Sequence, residues 1–490
     1  MCKKLLFVFF SLVLGIALNA QTLQVNAVRF ELGPYSQGGH IAVPITATGC
    51  FDVNNQYTLW LSNNDFATEV QIGTYANFYS TYVNGLIPAA TATGTTYKVR
   101  VKSTSPALIS AASAAFTINA PSAGGLDTLL VNPVNPLRIL KDQQSFGWCS
   151  TQSGNPNLGL IVASNVGGTV TANLCNEIAN ICSNPTVTAN TSISIPMAQA
   201  HYTIIVKTTR GGNIGTRAYF LINSPNNLAI ATIGEQVGCI PDSLSFKIVV
   251  DPTSGGMGNN FPGHTYYVNW GDGSPISEFR YCELIANNGF IKHEYTTNSC
   301  LQGNGSYAVT LSLNNSFYIA NDPGPLGTCA RPSVSSSAKI FTEPVANFTT
   351  ANISGGQMRA CLNTPTTFTN TSLGGSSAGS TTNCTSNAFY FWYVDNVLRY
   401  SSSVKEPPVG LTHTFTTTGN HIVRLLVDNG SCATHDTSFT VCVETPVTAG
   451  FTYAGAATTL TGCSPTFTPV NTTLPSQCGD PSFLWRVLDA

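Results

Sequence analysis

The sequence predicts an all-β chain, organised as a tandem array of small β-sandwich domains. Apolar and polar residues alternate in short runs, and turn residues recur every ~8–12 positions, which is the pattern of sandwiches and barrels. Hydrophobic residues make up 43% of the chain and charged residues only 9%, whereas an ordinary soluble domain carries roughly 25% charged residues. The chain of 490 residues corresponds to about three to five domains at roughly 100–200 residues each.

The charge distribution argues against a nucleic-acid partner. The formal net charge is −2, and no basic run follows Lys3-Lys4. Proteins that bind nucleic acid need a basic surface that displaces counterions from phosphates. We therefore expect no nucleic-acid binding.

Residues 1–20 have the pattern of a signal peptide. Lys3 and Lys4 precede an apolar run over residues 5–18, and Ala20 is a small residue suited to cleavage. The run is shorter than the ~20 residues that a membrane-spanning helix needs. We expect export, with no transmembrane segment after the signal is cleaved.

The cysteine count fits an exported protein. The chain has 15 cysteines, and Cys2 would leave with the signal, so that an even number remains. Thiols oxidise to disulfides outside the cytoplasm. No Cys-x-x-Cys pair occurs, which gives zinc or redox chemistry little support.

Two Ig-like β-sandwich domains are predicted first, over residues 21–120 and 126–224. Predicted strands follow in the same order in both, with 57–61 matched to 158–162 and 97–101 matched to 202–207. Repeated β units of this kind indicate an array.

The third segment, 225–345, carries the most specific motif. A strand ends in Trp270-Gly271-Asp272-Gly273, and apolar residues alternate again over 305–311. The motif resembles the PKD domain, a seven-stranded Ig-like sandwich common on cell surfaces. Trp270 would fill the core, the two glycines would permit unusual backbone angles, and Asp272 would cap the turn.

Two further PKD-like copies follow. Residues 346–445 resemble a degenerate copy in which 389–396 replaces the Trp-Gly-Asp-Gly strand. Residues 446–490 resemble the start of another copy, truncated before its later strands. Such a sandwich cannot close, so we expect a longer protein.

The sandwich topology suggests disulfide partners. In a sandwich of this kind, the residue before the tryptophan strand lies near the end of a later antiparallel strand. The topology predicts Cys384–Cys432 and Cys361–Cys442. Cys282 and Cys300 bracket an insertion and are expected to pair, Cys239–Cys329 follows by elimination, and Cys175–Cys182 would close a short loop. A bond between Cys50 and Cys149 would join the first two domains, but the connectivity of these two and of Cys463 and Cys478 is left open.

The polar residues offer little catalytic chemistry. Asp272 is the main candidate for calcium, although a turn cap explains it better, because calcium needs clustered oxygen ligands. His293 and His413 occupy equivalent places at strand entries. Residues 375–379 fit Gly-x-Ser-x-Gly, but a nucleophile elbow belongs to an α/β fold. We expect no enzyme activity, no catalytic or metal-binding residues and no cofactor, with calcium as the alternative.

Tandem PKD-like domains behind Ig-like domains resemble the large surface proteins of Bacteroidota, including adhesins of gliding bacteria. The resemblance implies secretion by the type IX route and display on the cell surface. It implies adhesion to extracellular polysaccharide, a surface or a protein ligand, with the array as a stalk. The alternative is an accessory region of a secreted protease or glycoside hydrolase whose catalytic domain lies beyond residue 490.

Overall fold

The computed structural model describes most of the chain after the first twenty residues. The described residues are 21–121, 129–133, 138–139, 145–148, 157–162, 169–187, 192–194, 201–223, 228–233, 237–314, 333–354, 356–376, 387–446, 448–453, 469–473, 478 and 484–486. Strands dominate this part of the chain, and its one α-helix has 6 residues. The predicted all-β class is confirmed, and the strand order is that of Ig-like sandwiches.

The described strands of the first two predicted segments are β1 (Thr22–Val25), β2 (Tyr35–Ser36), β3 (His40–Thr48), β4 (Gln56–Ser62), β5 (Val70–Ala76), β6 (Tyr82–Leu86), β7 (Gly94–Thr104), β8 (Ala107–Ile109), β9 (Phe116–Asn119), β10 (Leu129–Pro133), β11 (Arg138–Ile139), β12 (Ser145–Trp148), β13 (Asn157–Val162), β14 (Thr169–Asn176), β15 (Ile181–Ser183), β16 (Ser192–Ser194), β17 (His201–Arg210) and β18 (Asn213–Asn223).

The later strands are β19 (Ile230–Ile233), β20 (Val237–Cys239), β21 (Asp242–Ile248), β22 (Thr265–Asn269), β23 (Ser277–Arg280), β24 (Phe290–Tyr295), β25 (Tyr307–Asn314), β26 (Ser333–Phe341), β27 (Phe348–Thr350), β28 (Ile353–Ser354), β29 (Gln357–Cys361), β30 (Pro365–Asn370), β31 (Phe389–Val394), β32 (Val397–Ser401), β33 (Leu411–Thr414), β34 (Gly419–Asp428), β35 (His435–Glu444), β36 (Phe451–Tyr453) and β37 (Pro469–Asn471). Helix α1 spans Tyr281–Ala286, and 3-10 turns span Pro252–Ser254, Met257–Asn259 and Gly303–Gly305.

The chain divides into two compact units. The first contains residues 1–231, 245–291 and 309–336, and the second contains 232–244, 292–308 and 337–490. Residues of the predicted third segment, 225–345, therefore occur in both units. Each unit is described by itself.

The first sandwich of unit 1 shows why its strands form. Along β4 and β7 alternate side chains are buried, among them Tyr57, Leu59, Val99 and Val101, because a strand points successive residues to opposite faces. These strands belong to the order β2-β9-β7-β4-β5, and β1-β3-β6 forms the other sheet. The two sheets share one hydrophobic core. β2 pairs with β9 in parallel, so the first part of the chain adds a short strand to this sheet.

The second sandwich repeats this order with a different strand equivalence from the one predicted. β13, which contains residues 158–162, pairs with β10 and β16, as β3 pairs with β1 and β6. The counterpart of β4 is β14, which pairs with β15 and β17. The prediction that 158–162 matches 57–61 is therefore wrong. Both runs are apolar, and periodicity alone does not say which sheet an apolar strand joins.

The two sandwiches are joined through a common sheet. β18 of the second pairs in parallel with β2 of the first, with Ile214 opposite Tyr35. The backbone N–H of Ile214 donates to the Pro34 carbonyl at 2.7 Å. The core that contains the first sandwich also includes Ile205 and Phe220 of the second. The two sandwiches therefore pack against each other through a shared sheet and core, and are not joined by a linker alone.

Asn84 makes the most specific polar contact across this junction. Its amide nitrogen donates to the carbonyl of Ala218, and its amide oxygen accepts from the N–H of Ala218, both at 2.9 Å. Nearby, the N–H of Ala42 donates to the Thr216 hydroxyl at 2.8 Å. Since buried polar groups left without partners are costly, these bonds fix the register of β18 against the first sandwich.

We predict that Asn84→Asp destabilises unit 1 by about 2 kcal/mol, because a carboxylate cannot donate to the Ala218 carbonyl and would repel it. The free energy of unfolding in urea measures the change. Asn63→Asp, in the turn after β4, is the matched control and should change stability little. Equal losses of unfolding free energy in the two variants would show that the hydrogen bonds of Asn84 do not stabilise unit 1 more than a surface amide does.

Unit 2 contains a complete Ig-like sandwich. One sheet has the order β27-β30-β33 and the other β28-β29-β35-β34-β31-β32, with β29 parallel to β35. Trp392 on β31 is fully buried between them, and its ring lies 4.9 Å from that of Phe348. Its indole N–H donates to the Val409 carbonyl at 3.0 Å. A buried tryptophan at this strand is a hallmark of Ig domains.

The degenerate copy has replaced Gly-Asp-Gly with a different turn. Asp395 and Asn396 have φ values of 49° and 64°, and they join β31 to β32 with Val394 opposite Val397. Two consecutive positive φ values define the tight hairpin turn that suits twisted strands. Asp395 also accepts from the backbone N–H of Ile422 at 3.0 Å.

Candidate functional site

The Trp-Gly-Asp-Gly motif forms a capped turn in unit 1. Trp270 is buried against Phe246, and its indole N–H donates to the Ser277 hydroxyl at 2.8 Å. The carboxylate of Asp272 accepts from the backbone N–H of Ser274 at 3.0 Å and from its hydroxyl at 2.6 Å. Gly273 has φ +85°, a conformation that other residues rarely adopt. The residues thus occupy the structural roles that the motif predicts.

Metal ligands are not clustered in the described ranges. No group of three or more His, Cys, Asp or Glu side chains there could hold a metal ion. No described helix has the length and apolarity to cross a membrane. His293 and His413 both stand edge-on to an aromatic ring, Tyr295 at 4.6 Å and Phe415 at 4.7 Å. The repeated arrangement is one of packing. Of the Gly-x-Ser-x-Gly pattern, residues 377–379 lie outside the described part.

We predict that Asp272→Ala destabilises unit 1 by about 1 kcal/mol through loss of the turn cap, while Asp272→Asn, which keeps an acceptor, costs less. Thermal melting in calcium and in EDTA should give the same Tm for the unchanged protein. Calorimetric calcium binding that Asp272→Ala abolishes would contradict the turn-cap role.

Four disulfides join described cysteines. They are Cys50–Cys282, Cys175–Cys182, Cys239–Cys432 and Cys442–Cys478. Cys361 is free and exposed, and Cys300 is disulfide-bonded. Cys149, Cys329, Cys384 and Cys463 lie outside the described residues.

Most of the predicted pairs are wrong. Cys282 bonds to Cys50 and not to Cys300, and Cys239 bonds to Cys432, which excludes Cys239–Cys329 and Cys384–Cys432. Cys442 bonds to Cys478, which excludes Cys361–Cys442. The bond between Cys50 and Cys149, whose connectivity the sequence left open, is excluded as well. The structure does contain Cys175–Cys182, across a hairpin. The errors share one cause: each of the five expected pairs lies within one predicted segment, whereas three of the observed bonds join different segments.

The surroundings of Cys50 explain its partner. Cys282 lies in the first turn of α1, and Arg280 just before it donates from its guanidinium to the carbonyl of Phe51. Arg280 also forms an ion pair with Glu283. The insertion that carries α1 is therefore held against the first sandwich by a covalent bond and a charged hydrogen bond together.

A buried aromatic cluster in unit 1 contains two histidines. The hydroxyl of Tyr79 lies 3.1 Å from Nε2 of His201. The His201 ring lies 5.1 Å from the Phe261 ring, which in turn lies 5.4 Å from His264. Burial lowers the pKa of His201 to about 3. The pKa of His264 is also lowered to about 3, first by burial and then by the repulsion that a protonated His201 would exert. Both rings are neutral at pH 7.

The stability of unit 1 should therefore fall in acid. The unfolded chain takes up protons near pH 6.5, whereas the folded histidines resist them down to about pH 3, so stability is full above pH 6.5 and is lost as pH falls. Each histidine should cost about 2 kcal/mol between pH 7.5 and pH 5. Urea unfolding at the two pH values measures this loss. His40, whose pKa is lowered to about 4 by burial and by the nearby Arg217, contributes a similar loss. His201→Gln should therefore remove about a third of the total, and an unchanged pH dependence would contradict the assignment.

A groove on the face of the second sandwich was not predicted from sequence. It has a volume of about 730 Å³. Its walls are β14, the middle of β15 and of β17, the segment 184–187 that follows β15, and residues 28–31. The lining residues are Val28, Arg29, Glu31, Val170, Thr171, Ala172, Asn173, Cys182, Asn184, Pro185, Thr186, Val187, Ile205 and Lys207. We call it the β14 groove. No signal in the sequence could have revealed it, because its walls come from distant parts of the chain.

Comparisons with known proteins return likenesses of structure only. No protein-family model matches the sequence, and no curated protein matches it. Sidekick-1 immunoglobulin domains 1–5 are 11% identical, covering 87% of this chain and 81% of that one, with a TM-score of 0.21. The insect immune protein hemolin is 9% identical and covers 87% and 100%, with a TM-score of 0.25. The Dpr2 and DIP-Theta immunoglobulin complex is 11% identical and covers 64% and 99%, with a TM-score of 0.29.

Proposed function

We propose that this chain is part of a non-catalytic extracellular adhesin or stalk, which attaches its cell to surfaces, polysaccharide or other cells. The observation that supports this best is covalent cross-linking over long distances in the sequence. Cys50–Cys282 spans 232 residues and Cys239–Cys432 spans 193. Disulfides persist in oxidising surroundings outside the cytoplasm. The proposal includes surface display through the type IX route of Bacteroidota and a role in gliding motility, as the sequence resemblance implies.

The two long-range bonds suit a chain that carries tension. Their spans interleave, because Cys239 precedes Cys282 and Cys432 follows it. The shortest covalent path from Cys50 to Cys432 therefore runs through both bonds and residues 239–282 alone. A pull on the ends is borne by that short path, and the remaining residues between Cys50 and Cys432 cannot be drawn out while the bonds stay closed.

Force spectroscopy on the oxidised protein tests the stalk. We expect the stretch from Cys50 to Cys432 to release roughly 150 Å of chain at ~3.5 Å per residue. The double variant Cys50→Ser and Cys239→Ser should release roughly 1,300 Å. Full release from the oxidised unchanged protein would contradict a tension-bearing design.

A deletion strain tests adhesion. Cells without the protein should attach less to glass and to polysaccharide-coated surfaces, and the restored gene should return attachment. Normal attachment combined with loss of a secreted hydrolytic activity would instead favour the alternative, in which the chain is an accessory region of a secreted protease or glycoside hydrolase.

A further inference from the structure

We infer that the β14 groove binds a short stretch of uncharged polysaccharide. This inference rests on the proposed function, since it names the ligand class through which the chain would attach. The volume of about 730 Å³ falls within the ~300–1,000 Å³ of ordinary small-molecule sites. The groove is partly open to solvent.

The polar groups in the groove suit sugar hydroxyls. Thr171 and Thr186 are exposed, and their hydroxyls have no hydrogen-bond partner among the described residues. The amide oxygen of Asn184 accepts from Asn173 at 3.0 Å, which leaves the amide N–H groups of Asn184 facing outward as donors. Hydroxyls both donate and accept, so a row of hydroxyls and amides can match the neighbouring hydroxyls of a sugar ring.

The charges in and around the groove are balanced, which favours an uncharged ligand. Arg29 forms an ion pair with Glu177 at 2.8 Å and also donates to Asn180 at 3.1 Å. Lys207 forms an ion pair with Glu31 at 2.9 Å. An anionic polymer would have to break one of these pairs and leave a carboxylate beside it. A neutral sugar can accept from the remaining N–H groups of Lys207 while both pairs stay intact.

Apolar side chains complete the match to a carbohydrate. Val187 contributes aliphatic surface to the groove, and Val28 on the opposite wall is 96% exposed. The C–H faces of sugar rings pack on such surfaces. Because the lining contains no aromatic side chain among the described residues, we expect weak affinity at a single groove and firm attachment only through many copies.

A peptide strand is a poorer occupant. Strand addition needs free backbone N–H and C=O groups along an open edge. β14 pairs with β17 along its whole length and with β15 at residues 174–176, which leaves at most the short edge of residues 169–173 for an added strand. The groove therefore offers its polar side chains over a larger area than any strand edge.

Isothermal titration calorimetry on the whole exported chain tests the inference. The probes are cellohexaose, xylohexaose, mannohexaose and maltohexaose, with an alginate hexamer as the anionic comparison. We expect millimolar binding of at least one neutral hexasaccharide. Thr171→Arg, which fills the groove, should weaken that binding at least tenfold. The pair Asn184→Ala with Thr186→Ala, which removes donors without filling it, should weaken it several-fold. Thr74→Arg, on exposed β5, is the matched control and should bind normally.

Three outcomes would overturn the groove as a sugar site: no binding of any neutral hexasaccharide, equal binding by Thr171→Arg, or binding of alginate alone. The attachment assay separates this failure from that of the proposed function. If the deletion strain regains full attachment with Thr171→Arg, the adhesin proposal stands and the groove is not its ligand site. If the deletion strain attaches normally while Thr171→Arg abolishes sugar binding, the groove stands and the adhesin proposal fails.

Discussion

The pairing of β18 with β2 is the contact on which the first unit depends. It continues the sheet of one sandwich into that of the next, and buried residues of both then share one core. Asn84 fixes the register by holding both backbone groups of Ala218. A sheet that crosses a domain boundary is stiffer than a linker, because bending it would break backbone hydrogen bonds and expose apolar surface together.

Rigid packing is also what allows the long-range disulfides to form. A bond between cysteines far apart in sequence requires both to be held within the few ångströms that disulfide geometry allows. Cys50 and Cys282 meet because α1 begins beside the first sandwich, where Arg280 donates to Phe51. Cys239 and Cys432 meet in unit 2, where buried Asn429 orders the turn by accepting from the N–H of Cys432 at 2.9 Å. Hydrogen bonds position the sulfurs, and the covalent bonds then lock the positions.

The same junction produces features that neither sandwich has alone. Tyr79 comes from the first sandwich, His201 from the second and Phe261 from the segment between β21 and β22, and their meeting buries a neutral imidazole. The β14 groove has a wall from residues 28–31 and another from 184–187. Ion pairs tie the first wall to the second sandwich. When neighbouring domains share a core, residues of both can form a site at their boundary. In isolated domains the same residues would face solvent.

The sequence by itself determined the class of fold, the tryptophan strands and the turn at Asp272, because these depend on periodicity and on residues close together in the chain. It also indicated the Cys175–Cys182 bond, which closes a short hairpin. Only the tertiary structure decided that β13 is the counterpart of β3. It likewise decided the partners of Cys50, Cys239 and Cys442 and the presence of the β14 groove. Apolar alternation marks a strand without saying which sheet it joins, and a cysteine's partner depends on how segments hundreds of residues apart pack together.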